Sequence, residues 1–475
     1  MQLNSGNGAC LRQTLATLSL GLLSATLGEK TDRAYAQAQS QPDSPSGNSG
    51  QLIPTSKELD SSILFYQEAN GRVRAIEPAL QYTAHGPDSQ TFNLGVIADS
   101  VTGATPNGAV PSDHTQTFVT PLKAPGGSST TVTSASGGST VIHLPPTPGQ
   151  IAAAALGRQY TTPPGQLPVD RGFHDQRYGV NVGYSQPLGE ISLVGFGGSY
   201  SIEHDYQSIS ASANIAQNFN LNNTTASLAV NYENDSSFPY GGVPTPLTVM
   251  TPQLKSVSSR GRSRIDIVAG LTEAMTTNWL VQLNYSYGIS DGYQNDPYLI
   301  VSVVDPVTGE PNVYLYENRP TSRRLQSIYL DSKVDFGPSV TDVSFRYFMD
   351  SWGIKSTTVQ VSDRVRLMGS LYVEPEIRWY QQSAANFFHN FLVTGQPLPQ
   401  YASADSRLGQ FVGLTYGMKL GFDLTRSTEI YLRGEFYRQT GNGHPADAIG
   451  QLKQQNLFAG VDAAYGMIGF SWNFD

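Results

Sequence analysis

"AYGMIGFSWNFD" (residues 464–475) closes the chain. Gly466, Ile468, Phe470, Trp472 and Phe474 hold its even positions and are apolar or small. Tyr465, Gly469, Ser471 and Asn473 hold odd positions and are small or polar, with Met467 the exception. A repeat of two is a β-strand with one apolar face and one wetter face. Whether protein or lipid covers the apolar face decides the fold.

The same alternation recurs along the chain. Trp279, Val281, Leu283, Tyr285, Tyr287 and Ile289 share one face, against Gln282, Asn284, Ser286 and Ser290. Val412, Leu414, Tyr416, Met418, Leu420, Phe422 and Leu424 repeat it, as do Ile430, Leu432 and Phe436. These segments reach about ten residues, where strands of ordinary domains average five or six and a tilted membrane strand needs about ten. Short turns, such as 86–88, 187–190, 276–278, 337–338 and 425–427, alternate with long links. The long links cover 100–176, 235–258, 291–323, 384–410 and 441–461. Short turns on one side and long loops on the other mark bacterial outer-membrane barrels.

The expected fold is therefore all-β, a transmembrane antiparallel up-and-down β-barrel of about sixteen strands with long extracellular loops. Fourteen is the alternative count, because the first strand alternates poorly and residues 191–218 have no clear register. The first hairpin, 61–69 with 72–84, turns at Asn70-Gly71, a strong hairpin pair. A secreted sandwich or propeller is the rival. Against it stand charged polar faces and the Tyr, Trp and Phe near strand ends, which suit a lumen and an interfacial girdle.

Composition agrees. Only 14% of the 475 residues are charged, while Gly (47) and Tyr (25) abound, which favours strands and turns over long helices. The net charge of −9 speaks against a nucleic-acid surface. Arg12 and the apolar run Leu15 to Leu27, followed by small residues, read as an export signal over 1–38. A polar, disordered leader is expected over 39–58 and the barrel, with its long loop 100–176, over 59–475. The single cysteine, Cys10, falls within the signal. Localisation in the outer membrane of a Gram-negative-type cell follows, after export to the periplasm. The partners expected are outer-membrane lipid and lipopolysaccharide, the insertion machinery reading the C-terminal strand, and a lipoprotein.

Two stretches carry a resemblance. "FYQEANGRVRAIEPALQY" (65–82) and "DSVTGATPNGA" (99–109) resemble an uncharacterised domain-of-unknown-function family of Gram-negative outer-membrane β-barrel proteins. The resemblance implies a barrel and no particular activity. Within the second stretch Asp99, Gly103, Pro106, Asn107 and Gly108 read either as a turn anchoring a long loop or as a plug folded into the lumen.

For function, the inward charges are the best clue. Arg364, Arg366, Glu374, Glu376 and Arg378 fall on two hairpinned strands and form the candidate lumen cluster, either solvated wall or a mixed-charge constriction. His85, His114, His143, His174, His204, His389 and His444 all fall in expected turns or loops without metal-ligand spacing. Asp291, Asp296, Asp305 and Glu310 could gather around a calcium ion but lack any repeat spacing. No nucleophile motif appears, so no catalytic residue, cofactor or metal is assigned. The leading expectation is a passive channel or conduit for small polar solutes or a polymer. A non-conducting scaffold for a lipoprotein or surface partner comes second, and an outer-membrane hydrolase third.

Overall fold

The computed structural model describes residues 56–86, 89–121, 140–141, 157–250, 255–257 and 259–474. The expected export signal, nearly all of the leader and His143 lie outside them. Sixteen strands close into one antiparallel barrel. They are β1 (Lys57–Glu68), β2 (Val73–His85), β3 (Thr91–Pro106), β4 (Val169–Leu188), β5 (Ser192–Ile202), β6 (Tyr206–Phe219), β7 (Thr224–Ser237) and β8 (Arg260–Thr276). The second half is β9 (Trp279–Gly292), β10 (Ser322–Asp335), β11 (Ser339–Asp350), β12 (Lys355–Met368), β13 (Leu371–Gln382), β14 (Phe411–Thr425), β15 (Thr428–Gly441) and β16 (Val461–Phe474). β1 begins two residues before the expected boundary at 59.

Each strand pairs with its neighbour in sequence, and β1 closes the ring on β16, from Lys57 opposite Phe474 to Glu68 opposite Ala463. Closure leaves no edge whose backbone groups would face hydrocarbon unpaired. The apolar face points outward: Ile468 is 53% exposed and Trp472 41%, whereas Met467 on the alternate face is 4% exposed. Leu283, Leu420, Val343 and Phe345 lie on the same outer surface. So many exposed large apolar side chains suit a surface that meets lipid.

The poor alternation of β1 has a cause. Leu64 faces inward and packs with Val73, Ala75, Val101 and Met467 as an apolar patch on the lumen wall, flanked by Tyr66, Tyr431 and Tyr465. Residues 191–218 hide their register differently. β5 and β6 put Gly and Ser on the inner face, so neither face stands out by size. The Asn70-Gly71 turn takes left-handed φ at both residues, +58° and +64°, as a tight hairpin turn requires.

Strands overrun the expected membrane span on the long-loop side, which is the outer side in bacterial barrels. β3 continues to Pro106 and β4, 20 residues long, starts at Val169, so the longest loop is 107–168. His174 therefore sits within β4, and His85 is the last residue of β2, not in turns or loops as expected.

Candidate functional site

The long loops fold together. The loop hairpin Ile300–Val304 and Pro311–Tyr316 forms a small sheet, with Leu392–Val393 from the 383–410 loop pairing parallel to its first strand. Ile300, Val301 and Val304 are fully buried. One side packs with Ala109, Phe118 and Met250, another with Val110, Phe391, Ala448, Leu452 and Leu457, and a third with Leu392 and Ala402. These partners come from loops 107–168, 238–259, 383–410 and 442–460. Those loops leave the barrel at the β3–β4, β7–β8, β13–β14 and β15–β16 junctions, spread around the ring. Loops rooted so far apart can share one core only by reaching across the barrel mouth. The result is a cap with its own hydrophobic interior.

A buried ionic knot ties two of these loops. Arg319 contacts Glu317 (Nε to Oε1, 2.8 Å) and Asp405 (Nη2 to Oδ2, 3.0 Å). The Arg319 and Glu317 side chains have no exposed surface. Ser403 Oγ donates to Glu317 Oε2 at 2.6 Å, Arg407 pairs with Asp405 at 2.7 Å, and Asp296 N donates to Glu317. Burial, then the neighbouring Glu317, pushes the Asp296 carboxyl up to about 8. Burial also raises Glu317. At Asp405 burial pulls the other way, but Arg407 and Arg319 outweigh it and hold the carboxyl low.

The loop motif is the foot of the cap. Asp99, on β3, meets Arg177 of β4 (2.6 Å), whose other partner is Glu77 of β2 at 3.7 Å. The two family-like stretches thus converge on one buried arginine. Gly103 has φ +142°, and a Cβ there would lie 1.9 Å from the Arg72 carbonyl oxygen. Pro106 ends β3. Asn107 accepts from Ala109 N at 2.9 Å, donates to Tyr160 Oη at 3.0 Å, and its carbonyl receives Ile300 N at 3.0 Å. Gly108 has φ +87°, and a Cβ there would lie 2.3 Å from the Ile300 carbonyl oxygen.

These two glycines give a paired expectation. Gly103→Val forces β2 and β3 apart and will lower the thermal unfolding midpoint of the whole barrel, costing about 1–3 kcal/mol. Gly108→Val presses on the cap alone. It will speed proteolysis within 293–321 while the barrel midpoint stays at the wild-type value.

The lumen charges fall into pairs along the wall. Arg364 pairs with Glu374 at 2.7 Å, while Glu376 pairs with Arg433 of β15, which also holds Glu435 at 2.6 Å. Gly417 of β14 stands between, opposite both Glu376 and Glu435, and its missing side chain leaves room for that meeting. Arg378 is buried facing Glu435 and the tyrosines Tyr465, Tyr437 and Tyr380. Arg366 stands apart, exposed beside the irregular end of β12 near the short turns.

The acidic loop residues do not gather with one another. Asp305 accepts from Val307 N and Thr308 N in its own turn, Glu310 accepts from Ser112 Oγ at 2.6 Å, and Asp291 is exposed. Glu310 gathers instead with Asp113 and His114 at the surface, and a second group, Asp175, Glu203 and Asp205, is wholly buried; within each the ligand atoms lie within 4.8 Å of one another. His204 lies 3.0 Å from Asp175, and Tyr298 of the cap donates to Asp205 at 2.6 Å. The His-flanked acids at 203–205 were the only sequence signal for this group.

The model of the family described as "Protein of unknown function (DUF3570)" matches residues 14–472. The chain belongs to that family. No curated protein sequence matches it. Among solved structures it is similar to CdiB from Acinetobacter baumannii, at 9% identity over 88% of this chain and 60% of that one, with a TM-score of 0.43. It is also similar to a bacterial polysaccharide outer membrane secretin, at 7% identity over 88% and 98%, TM-score 0.42. A third is OpdK from Pseudomonas aeruginosa, at 9% identity over 89% and 100%, TM-score 0.37. The chain spans 60% of CdiB and 54% of a ferric enterobactin receptor. The fold is that of an outer-membrane β-barrel, and at these identities and scores nothing about activity follows.

Proposed function

We propose that the protein is an outer-membrane conduit for small polar solutes or an extended polymer, closed at its outer mouth by the loop cap until the cap moves. The observation that carries this reading is the division of labour between wall and loops. The hydrophobic residues of the three cap clusters come from loops, while the wall below, apart from the apolar patch around Leu64, keeps a largely hydrophilic inner face. A barrel of about sixteen strands is wide enough for an aqueous lumen once nothing fills its mouth. In this reading the C-terminal strand serves the insertion machinery, and lipid and lipopolysaccharide surround the wall.

The test is planar-bilayer conductance. Wild-type protein will be quiet with rare openings. A variant whose hairpin 299–317 is replaced by a short Gly-Ser turn will hold a steady conductance. The same cap also suits a scaffold that presents a fixed surface to a lipoprotein. That second reading takes over if the shortened variant folds, as shown by heat-dependent gel mobility, yet stays silent.

A further inference from the structure

The barrel interior is lopsided. Along β10 to β15 the inner face carries Tyr, Arg, Lys and Glu, and much of it is buried: Tyr372, Arg378, Tyr380, Lys419 and Glu435 are all nearly inaccessible. These side chains lie flat along the wall. Gly421 makes room for the Tyr372 ring and Gly469 for the Tyr431 ring, since a Cβ at either would meet the ring at 2.1 Å. Lys419 sits over the Tyr431 ring at 4.5 Å and Arg364 over Tyr372 at 4.6 Å. Arg364 faces Glu374, and Arg433 faces both Glu376 and Glu435.

The arc from β4 to β6 is the reverse. Val180, Val182, Phe196, Tyr200, Ile209 and Ile215 face outward, so the residues between them face the lumen. Below the outer rim these are Ser, Asn and Gly, and none is charged. Ser199, Ser212 and Asn214 are exposed although they point inward. Asn214 and Ser212 lean over Gly195 and Gly197, and Ser199 Oγ meets Ser210 Oγ at 2.7 Å. At the top of this arc stand the carboxylates Asp175, Glu203 and Asp205.

We infer that the solute path runs off-centre along β4–β6, and that it takes neutral polyhydroxylated solutes of the sugar class. This rests on the conduit reading above. Serine hydroxyls and asparagine amides both donate and accept, so they replace the water around a sugar's hydroxyls without binding an ion. The charge pairs opposite leave a passing ion few open partners. The crowded arc sets how much of the bore is left.

The test uses the full chain with Cys10→Ser and single cysteines in proteoliposomes. Ser199→Cys, Ser212→Cys and Asn214→Cys report the open arc; Thr358→Cys, Thr415→Cys and Gln439→Cys report the crowded one. A bulky water-soluble thiol reagent will label the first set about tenfold faster, because reactivity follows exposure. With Arg319→Met added to free the cap, a neutral hexose will enter about threefold or more faster than the uronic acid of the same size. Reagent attached at Ser212→Cys will then cut hexose entry. Equal labelling of the two arcs overturns the off-centre path, and equal entry of hexose and uronate overturns the solute class. Unequal labelling with no entry of any solute sinks the conduit reading itself, and the solute class with it.

Discussion

Arg319→Met will free the cap. The change removes the one cation among the described residues in contact with both Glu317 and Asp405, while methionine keeps much of the volume. Asp405 retains Arg407, but Glu317 is left facing Asp296 with only Ser403 Oγ and Asp296 N as donors. Removing one member of a buried ion pair costs about 3–5 kcal/mol, chiefly because a charge stays in low dielectric without its partner. The barrel strands do not depend on this knot, so the loss falls on the closed cap. Converted at about 1.4 kcal/mol per decade, the ratio of closed to open cap falls by about a hundredfold or more.

Two measurements check this. Protease will cut within 293–321 and 383–410 about a hundred times faster, about two decades being the smallest effect consistent with the pair energy, and open-channel time in bilayers will rise in step. The double variant Glu317→Gln, Arg319→Met removes the stranded charge as well and, with Asp405 still paired to Arg407, will regain part of the closed state. An Arg319→Met cap as resistant as wild type would show that packing around Ile300 and Val304 holds the mouth shut alone.

The barrel was legible and the cap was not, for one physical reason. A wall residue announces its surroundings locally: Ile468, Ser471 and Trp472 differ because one side of the ribbon meets lipid and the other the lumen. Alternation survives wherever those two faces differ in kind, and it blurs where they do not, at Leu64 and along β5 and β6. The cap has no such local rule. In "YLIVSVV" (298–304) both faces of the strand are buried, so there is no period to read. Its partners Ala109, Met250, Phe391 and Leu452 lie far off in sequence, each looking like one apolar residue in a loop.

The same distance hid the lumen pairs. Arg364 and Glu374 sit on adjacent strands joined by a turn, and their pairing follows from the hairpin. Glu376 reaches Arg433 across the intervening β14, which requires knowing that Gly417 stands between them. Asn107 and Gly108 were visible as turn residues. That their turn grips the Ile300 backbone could be seen only once the loops were assembled.

Alkaline pH will open the cap of the unmodified protein. The group concerned is Asp296, buried beside Glu317 on its own loop, with Arg319 on that loop and Arg407 from loop 383–410 as the cations it faces. Tyr293 lies near it, and Tyr298 N donates to its Oδ1 at 2.7 Å. Its carboxyl is raised from an ordinary 3.8 to about 8 in the closed cap. The closed state therefore binds a proton that the open state releases. A raised carboxyl gives its full support below the ordinary value and loses it as pH climbs toward the raised one, so closure weakens from acid pH to about 8 and levels off above. Glu317 is raised too, and the pair is best treated as sharing that proton. While one proton is being lost, the closed-to-open ratio falls by about tenfold per pH unit. Conductance and cap proteolysis will rise together between pH 6 and 8 and flatten beyond. Asp296→Asn keeps an oxygen for Tyr298 N and carries no charge, so it will hold the cap closed across the range and erase the rise. A wild-type conductance that fell as pH rose would place the responsible group elsewhere, because no carboxyl raised by burial can give that sign.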